Sequence, residues 1–434
     1  MKNMILFLGA SALILASSTG VFCLDVPLKY EKTAVQSMYT YGYGHSSFSA
    51  IKPAGNFALP ALNSSRPLFA LIRLADSSHL MVLDTVKPGD RYYSRLYIDR
   101  DGDGNLAGEK PLDDSIRKTK YGQIIGGSLP PVEMTILTDG ARTPYRIQLA
   151  EMPFEISGQV AGIPFMYNAA CGYRGAFTLG GAAYTILLGD TNGNGRFDDC
   201  ARTSTNHTPA GHTPVFQIGD RVLLTDGKYT DYLNLQPLGD LLWLNDTLYE
   251  MKINISKGSM TLVETRSSLA PLKLPMKVER LSLYAEDTGR CLMVYKPSGD
   301  VLMLPPGRYR LLSYQAFRRD ERGNLWRMCA QGTSGSPVTE VTSKGGAVLT
   351  YGEPYVPLVD INRNYRVLHN DISLNFTVEG KGKERMLALS TIESAESRFF
   401  FLKRSRIGKR PKEPTYTIVK ADGEIIAKGS FHYG

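Results

Sequence analysis

Long apolar runs are scarce in this 434-residue chain. Past residue 16, no stretch reaches the roughly 20 apolar residues that a helical membrane span needs. No membrane span is therefore expected after the N-terminal segment. Helical periodicity is missing as well. No segment of ordinary helix length repeats apolar residues at the 3.6-residue period, and 42 glycines with 24 prolines cut the chain into short pieces. This argues against helical bundles. Cysteine is sparse, with five residues. A disulfide scaffold is not needed to hold a chain this large, which can bury a full core. His207 and His212 sit in a Thr-rich stretch with no thiolate or third partner, so no transition-metal centre is expected there. No nucleic-acid reader motif is present, and the net charge of +8 is not read as nucleic-acid binding.

What is present points to strands. Hydrophobic residues make up 43% of the chain, and 24 tyrosines suit pleated surfaces. Ile372, Leu374, Phe376 and Val378 alternate with Ser373, Asn375 and Thr377, as one face of a sheet should. Gly180-Gly181 and Asp422-Gly423 each separate two strand-like runs, which is the hairpin signature. The expected fold class is all-β, with several β-sandwich-like domains. The expected divisions are residues 24–128, 129–265, 278–350 and 351–434, with a Pro-containing linker over 266–277.

The first 23 residues read as a signal peptide. Lys2 precedes the apolar run Met4 to Ala16, and small residues follow from Ser17. The protein is therefore expected outside the cytoplasm: periplasmic, at the cell surface, or extracellular. Phe22 stands where a lipid-attachment motif before Cys23 takes a small residue, which argues against lipidation. If Cys23 leaves with the signal, Cys171, Cys200, Cys291 and Cys329 remain. In an oxidising compartment Cys171–Cys200 and Cys291–Cys329 would be the most local disulfides.

Two loops carry the chemistry. The first is Asp99-Arg100-Asp101-Gly102-Asp103-Gly104-Asn105-Leu106. The second is Asp190-Thr191-Asn192-Gly193-Asn194-Gly195-Arg196-Phe197-Asp198-Asp199. Both fit D-x-[DN]-x-[DN]-G-x-[LF]. Alternate oxygen-bearing side chains converge when the chain curls tightly, and glycine at the sixth position permits the curl. A hard cation with six to eight oxygen ligands fits such a loop, so calcium is the expected ion. The twelfth positions are Lys110 and Ala201, so neither loop has the terminal Glu of an EF-hand. Candidate ligands are Asp99, Asp101, Asp103, Asn105 and Glu109 in the first loop. In the second they are Asp190, Asn192, Asn194, Arg196, Asp198 and Asp199. The same sequences also make ordinary Asx turns without metal. Leu106 and Phe197, at the eighth positions, should pin the loops to a core.

The run from Arg398 to Lys412 is strongly basic. It reads as a solvated hairpin tip, or as a patch for an anionic glycan or other cell-surface polymer.

From the Pro-Leu-Phe strand through Asp99 to Leu106, Tyr184 to Asp199 and Gly219 to Leu224, the chain resembles uncharacterised exported proteins of planctomycete-type and related bacteria. That resemblance implies no established activity. Leu304-Pro305-Pro306-Gly307-Arg308-Tyr309-Arg310-Leu311 resembles the LPPGxYxL hairpin of carboxypeptidase-regulatory-like β-sandwiches, which implies fold rather than catalysis. Gly332-Thr333-Ser334-Gly335-Ser336-Pro337 resembles the nucleophile loop of trypsin-like serine proteases. None of the upstream histidines His45, His79, His207 and His212 sits in that family's context. The expected role is an exported calcium-binding structural or binding module. The alternative is a secreted hydrolase whose site the sequence does not reveal.

Overall fold

The computed structural model describes residues 22–32, 44–114, 117–118, 124–125, 129–149, 154–155, 162–208, 211–217, 219–227, 234–265, 267–366, 369–393, 406–407 and 409–432. Among them the chain is nearly all β, with no α-helix, and no helix is long and apolar enough to cross a membrane. The chain divides into two compact units. The first holds residues 1–200, 219–227 and 251–263, and the second the remainder.

Three larger antiparallel sheets carry most of the described strands of the first unit. Strand β1 (Cys23–Glu31) pairs through its first half with Ser259–Glu264 and through its second half with Gly172–Leu179. The latter continues to Ala182–Gly189 and Arg221–Thr225. A second sheet runs Val132–Thr138, Ala141–Leu149, Ile163–Ala169 and β2 (Gly44–Phe48). A third joins β3 (Leu68–Leu74), β4 (Ser77–Asp84), Arg95–Ile98 and Leu112–Asp113. Alternation is clean where one face meets the core: in Val132–Thr138, Val132, Met134 and Ile136 are buried and Glu133 and Leu137 exposed. In β4, every residue from His79 to Asp84 is buried, as in a strand covered on both faces. The expected boundary at 128/129 falls inside this unit, because β2 pairs with Ile163–Ala169 and Ala75 bridges to Leu137.

The second unit centres on Leu241–Leu244, Arg290–Tyr295, Arg280–Ala285, Gly307–Arg319, Leu325–Gln331 and Arg385–Glu393, adjacent in that order. Its core includes Trp243, Leu281, Leu283, Val294 and Leu311 from the main sheet. Leu272, Leu302 and Leu304 complete it from a smaller sheet of Val301–Leu304, Ala270–Lys273 and Ala347–Val348. The stretch expected as a linker thus contributes the strand Ala270–Lys273, with Ala270, Leu272 and Leu274 buried. Val301–Leu304 and Gly307–Arg319 are both strands, but they pair with different partners rather than with each other. The Gly180-Gly181 and Asp422-Gly423 turns connect paired strands as expected, with Gly180, Gly181 and Gly423 at positive φ.

The expected disulfides do not form. None of Cys23, Cys171, Cys200, Cys291 and Cys329 is joined in a disulfide. Two strands, Arg280–Ala285 and Gly307–Arg319, lie between those carrying Cys291 and Cys329. Three inter-strand steps of about 4.8 Å exceed the Cα separation that a disulfide spans.

Candidate metal centre

Both Asp loops lie in the first unit, each at the exit of a buried strand. Arg95–Ile98 leads into the first and Ala182–Gly189 into the second. Their backbones are held by the same four hydrogen bonds. The first-position carboxylate accepts from the fourth-position N–H: Gly102 to Asp99 at 2.9 Å, Gly193 to Asp190 at 2.6 Å. Its other oxygen accepts from the sixth-position N–H: Gly104 at 3.1 Å, Gly195 at 2.7 Å. The third-position side chain accepts from the fifth N–H, Asp101 at 3.3 Å and Asn192 at 3.0 Å. The fifth accepts from the seventh, Asp103 at 2.7 Å and Asn194 at 2.8 Å. All four glycines have φ between 69° and 84°, where a side chain would be strained. The eighth positions anchor the loops as expected. Leu106 joins Phe69, Leu80, Val82 and Tyr97 in the core, and Phe197 meets the rings of Tyr145 and Tyr173 edge-on. Each such burial contributes about 1.5–3 kcal/mol.

The two loops differ in what their acids can offer. In the first, one carboxylate oxygen each from Asp99, Asp101 and Asp103 lies within 4.8 Å of the others. Two oxygens on opposite sides of a calcium ion stand about 4.6–5.2 Å apart, so this trio fits one coordination shell. Asp99 is buried, and burial raises its pKa against the pull of the Gly104 and Gly102 amides and His79. Asp101 and Asp103 are exposed. Asn105 accepts from the Ala107 N–H at 3.2 Å and caps the short turn Leu106–Gly108. Glu109 is held away from the trio: it accepts from the Arg100 N–H at 2.9 Å and pairs with the Arg100 guanidinium at 3.3 Å.

In the second loop Asp190 is buried, and its two oxygens accept from four donors. These are the Gly193, Asn194 and Gly195 amides and the Tyr145 hydroxyl, the last at 2.6 Å. The Asp199 carboxylate lies 3.1 Å from the Asn192 amide and 2.5 Å from that of Asn194, so it converges with the third and fifth positions. Asp198 is raised by burial and by Asp199. Arg196 turns its guanidinium to Asp76 at 2.7 Å and Asp139 at 3.5 Å, leaving only its backbone for the loop.

Sequence reasoning missed the residues that brace these loops. Asp220 is buried, accepts from the Thr191 N–H at 3.1 Å and from the Asp199 N–H at 3.0 Å, and so pins both ends of the second loop. Burial and the neighbouring Asp190 raise its pKa. Gly219 beside it has no room for a side chain, since a Cβ there would stand 2.1 Å from the Asp199 carbonyl. His79 is fully buried against the first loop. Its Nδ1 lies 2.9 Å from the Asp99 carbonyl, which can only accept, so the proton sits on Nδ1. Only the juxtaposition of Gly219 with Asp220 before a strand marked any of these positions in the sequence.

The other sequence candidates resolve differently. Ser334 lies in a loop whose carbonyls at Ser334 and Ser336 accept from Arg310 at 3.1 and 2.6 Å, and among the described residues no histidine bonds to it. Ser336 is buried and accepts from the Thr333 N–H at 3.0 Å. His207 and His212 oppose one another in the register of a hairpin. Residues 398–405 and 408 of the basic run lie outside the described residues; Lys409, Arg410 and Lys412 are exposed. No protein-family model, no curated protein and no solved structure matches this chain.

Proposed function

We propose that this protein is an exported calcium-binding structural or binding module of the cell surface or extracellular space. The observation that carries the proposal is the shared scaffold of the two loops: four matching hydrogen bonds each, in a loop whose first copy brings three carboxylate oxygens together. A metal-free turn needs one or two such bonds. The loop plan is built twice, and the first copy gathers three acids at its mouth, the donor set of a hard cation. Asp99, Asp101 and Asp103 would hold an ion in the first loop, and Asp190, Asn192, Asn194 and Asp199 in the second. An ion would neutralise carboxyls that otherwise repel each other at close range. Missing terminal Glu ligands place affinity around 0.1–1 mM, the range of extracellular modules.

Equilibrium dialysis against calcium, with and without chelator, tests the reading. One or two bound ions per chain are expected at millimolar calcium; none would overturn it. Export is tested on the native protein, whose N-terminus by mass spectrometry should fall between Thr19 and Leu24. The exposed Lys409, Arg410 and Lys412 support an anionic glycan as partner. Salt-sensitive retention on immobilised heparin, weakened by neutralising the three residues, tests that assignment.

A further inference from the structure

The two loops do not stand apart. The second grips the turn between β3 and β4, and the first bonds to β4 just beyond it. From the second loop, the Asn194 carbonyl accepts from the Ala75 N–H at 2.6 Å, and Arg196 holds Asp76. Gly195 packs so tightly on the turn that a Cβ would stand 2.8 Å from the Ala75 nitrogen. Ala75 itself is held at φ 49°, a region an alanine occupies only when its surroundings impose it. Two residues further, the Ser77 hydroxyl lies 2.9 Å from the Leu74 carbonyl, 3.1 Å from the Leu137 N–H that donates to it, and 2.9 Å from Nε2 of His79. The other face of that imidazole holds the Asp99 carbonyl of the first loop. The His79 ring also lies against Gly102, whose Cβ would meet Cε1 at 3.4 Å.

A second route runs beside the first. Strand Val132–Thr138 donates from the Thr135 N–H to the Arg100 carbonyl at 2.8 Å. It also accepts from the Asp76 N–H at the Leu137 carbonyl, again at 2.8 Å. The carbonyls of the first two positions of the first loop are therefore fixed by groups that the second loop locks in place.

We infer that His79 is a positioning residue which, through Ser77 and the β3–β4 turn, makes the ion affinity of the first loop depend on the order of the second. This rests on the calcium reading above. His79 does not touch the ion; it sets where Asp99, the first ligand, stands. Ordering the second loop fixes Ala75 and Asp76, which fixes Ser77, which fixes the imidazole. The first loop then binds without first ordering its own entry strand, and by reciprocity an ion in the first loop favours the second.

Hydrogen–deuterium exchange with mass spectrometry on the full chain reads each loop's peptide separately across a calcium titration. Asp190→Asn should raise the calcium midpoint of the first-loop peptide about fivefold, at the low end of usual coupling. His79→Asn keeps a donor near Asp99 but cannot reach Ser77. In that background, and in Ser77→Ala, the effect of Asp190→Asn should fall below about twofold. A purely structural role would lower protection of both loops in either condition without moving the midpoint. An unchanged midpoint in Asp190→Asn, or an equal shift in all backgrounds, would overturn the inference. If neither peptide responds to calcium in the wild type, the calcium reading is what fails. The calcium-free arm still decides the coupling: Asp190→Asn should speed exchange at Gly102 and Gly104 only where His79 and Ser77 are intact.

Discussion

Replacing Asp190 separates what the second loop does for the fold from what an ion adds. Asp190→Ala removes one acceptor group and orphans four donors at once: the amides of Gly193, Asn194 and Gly195 and the Tyr145 hydroxyl. A buried donor left without a partner costs about 1–3 kcal/mol. The four do not add fully, because water enters a collapsed loop and because the carboxylate's own burial, which raises its pKa, is relieved. A net loss of about 3–4 kcal/mol is expected in chelator. Asp190→Asn keeps one acceptor oxygen and the volume, and should cost about 1–2 kcal/mol. An ion at tenfold excess over its dissociation constant adds only about 1.4 kcal/mol per site. The order of effects is therefore set: the alanine loss in chelator exceeds the whole calcium increment. Because the chain has two units, a single global transition is not assumed. The readout is urea-dependent exchange of peptides from Val132–Thr138 and Ala182–Gly189, both in the first unit. A loss below about 1 kcal/mol in chelator would refute the claim that these four bonds brace the loop.

Other outcomes follow from the same geometry. Millimolar calcium should raise the melting temperature of the first unit by a few degrees, reversibly with chelator; Asp101→Asn with Asp103→Asn should remove part of the rise, and Asp422→Ala none of it. Without denaturant, maleimide should label Cys200 faster than the buried Cys171, Cys291 and Cys329, and non-reducing mass analysis should show no disulfide. Asp320 is held down to about 2 by the Trp326 indole, the Asn324 side chain and nearby amides. Its charged form thus supports the hairpin above the ordinary value of 3.8, and that support is lost as pH falls through about 2. Carboxyl NMR titration should find this midpoint, and Asn324→Ala should move it upward. Fluorophosphonate should not label Ser334; stoichiometric labelling lost in Ser334→Ala would revive a protease.

The legible parts of this molecule are local. The strand through Leu374 to Val378, the Gly180-Gly181 turn and the eighth-position anchors Leu106 and Phe197 all follow from short-range chemistry, and the structure has them. The illegible parts depend on contacts between distant segments. Tyr145 and Asp220 reach the second loop from separate segments of the chain, and no spacing rule connects them to it. Glu109 looked like a spare ligand because it is near in sequence, yet Arg100 is nearer in space. The cysteines misled for the same reason, since closeness along the chain says nothing of the strands laid between Cys291 and Cys329.

The divided pairing of β1 sets a kinetic problem for the living cell. Cys23–Pro27 align with Ser259–Val263, segments made more than two hundred residues apart. During synthesis, Leu24 and Val26 emerge early and wait for the late strand that covers them. Until the late strand arrives, the first half of β1 is a bare template for any other extended chain. Such high contact order slows assembly and lengthens the window for aggregation. A holding chaperone that masks this segment should therefore raise the yield of folded protein more than one acting on the hairpin at Asp422-Gly423, which closes on itself.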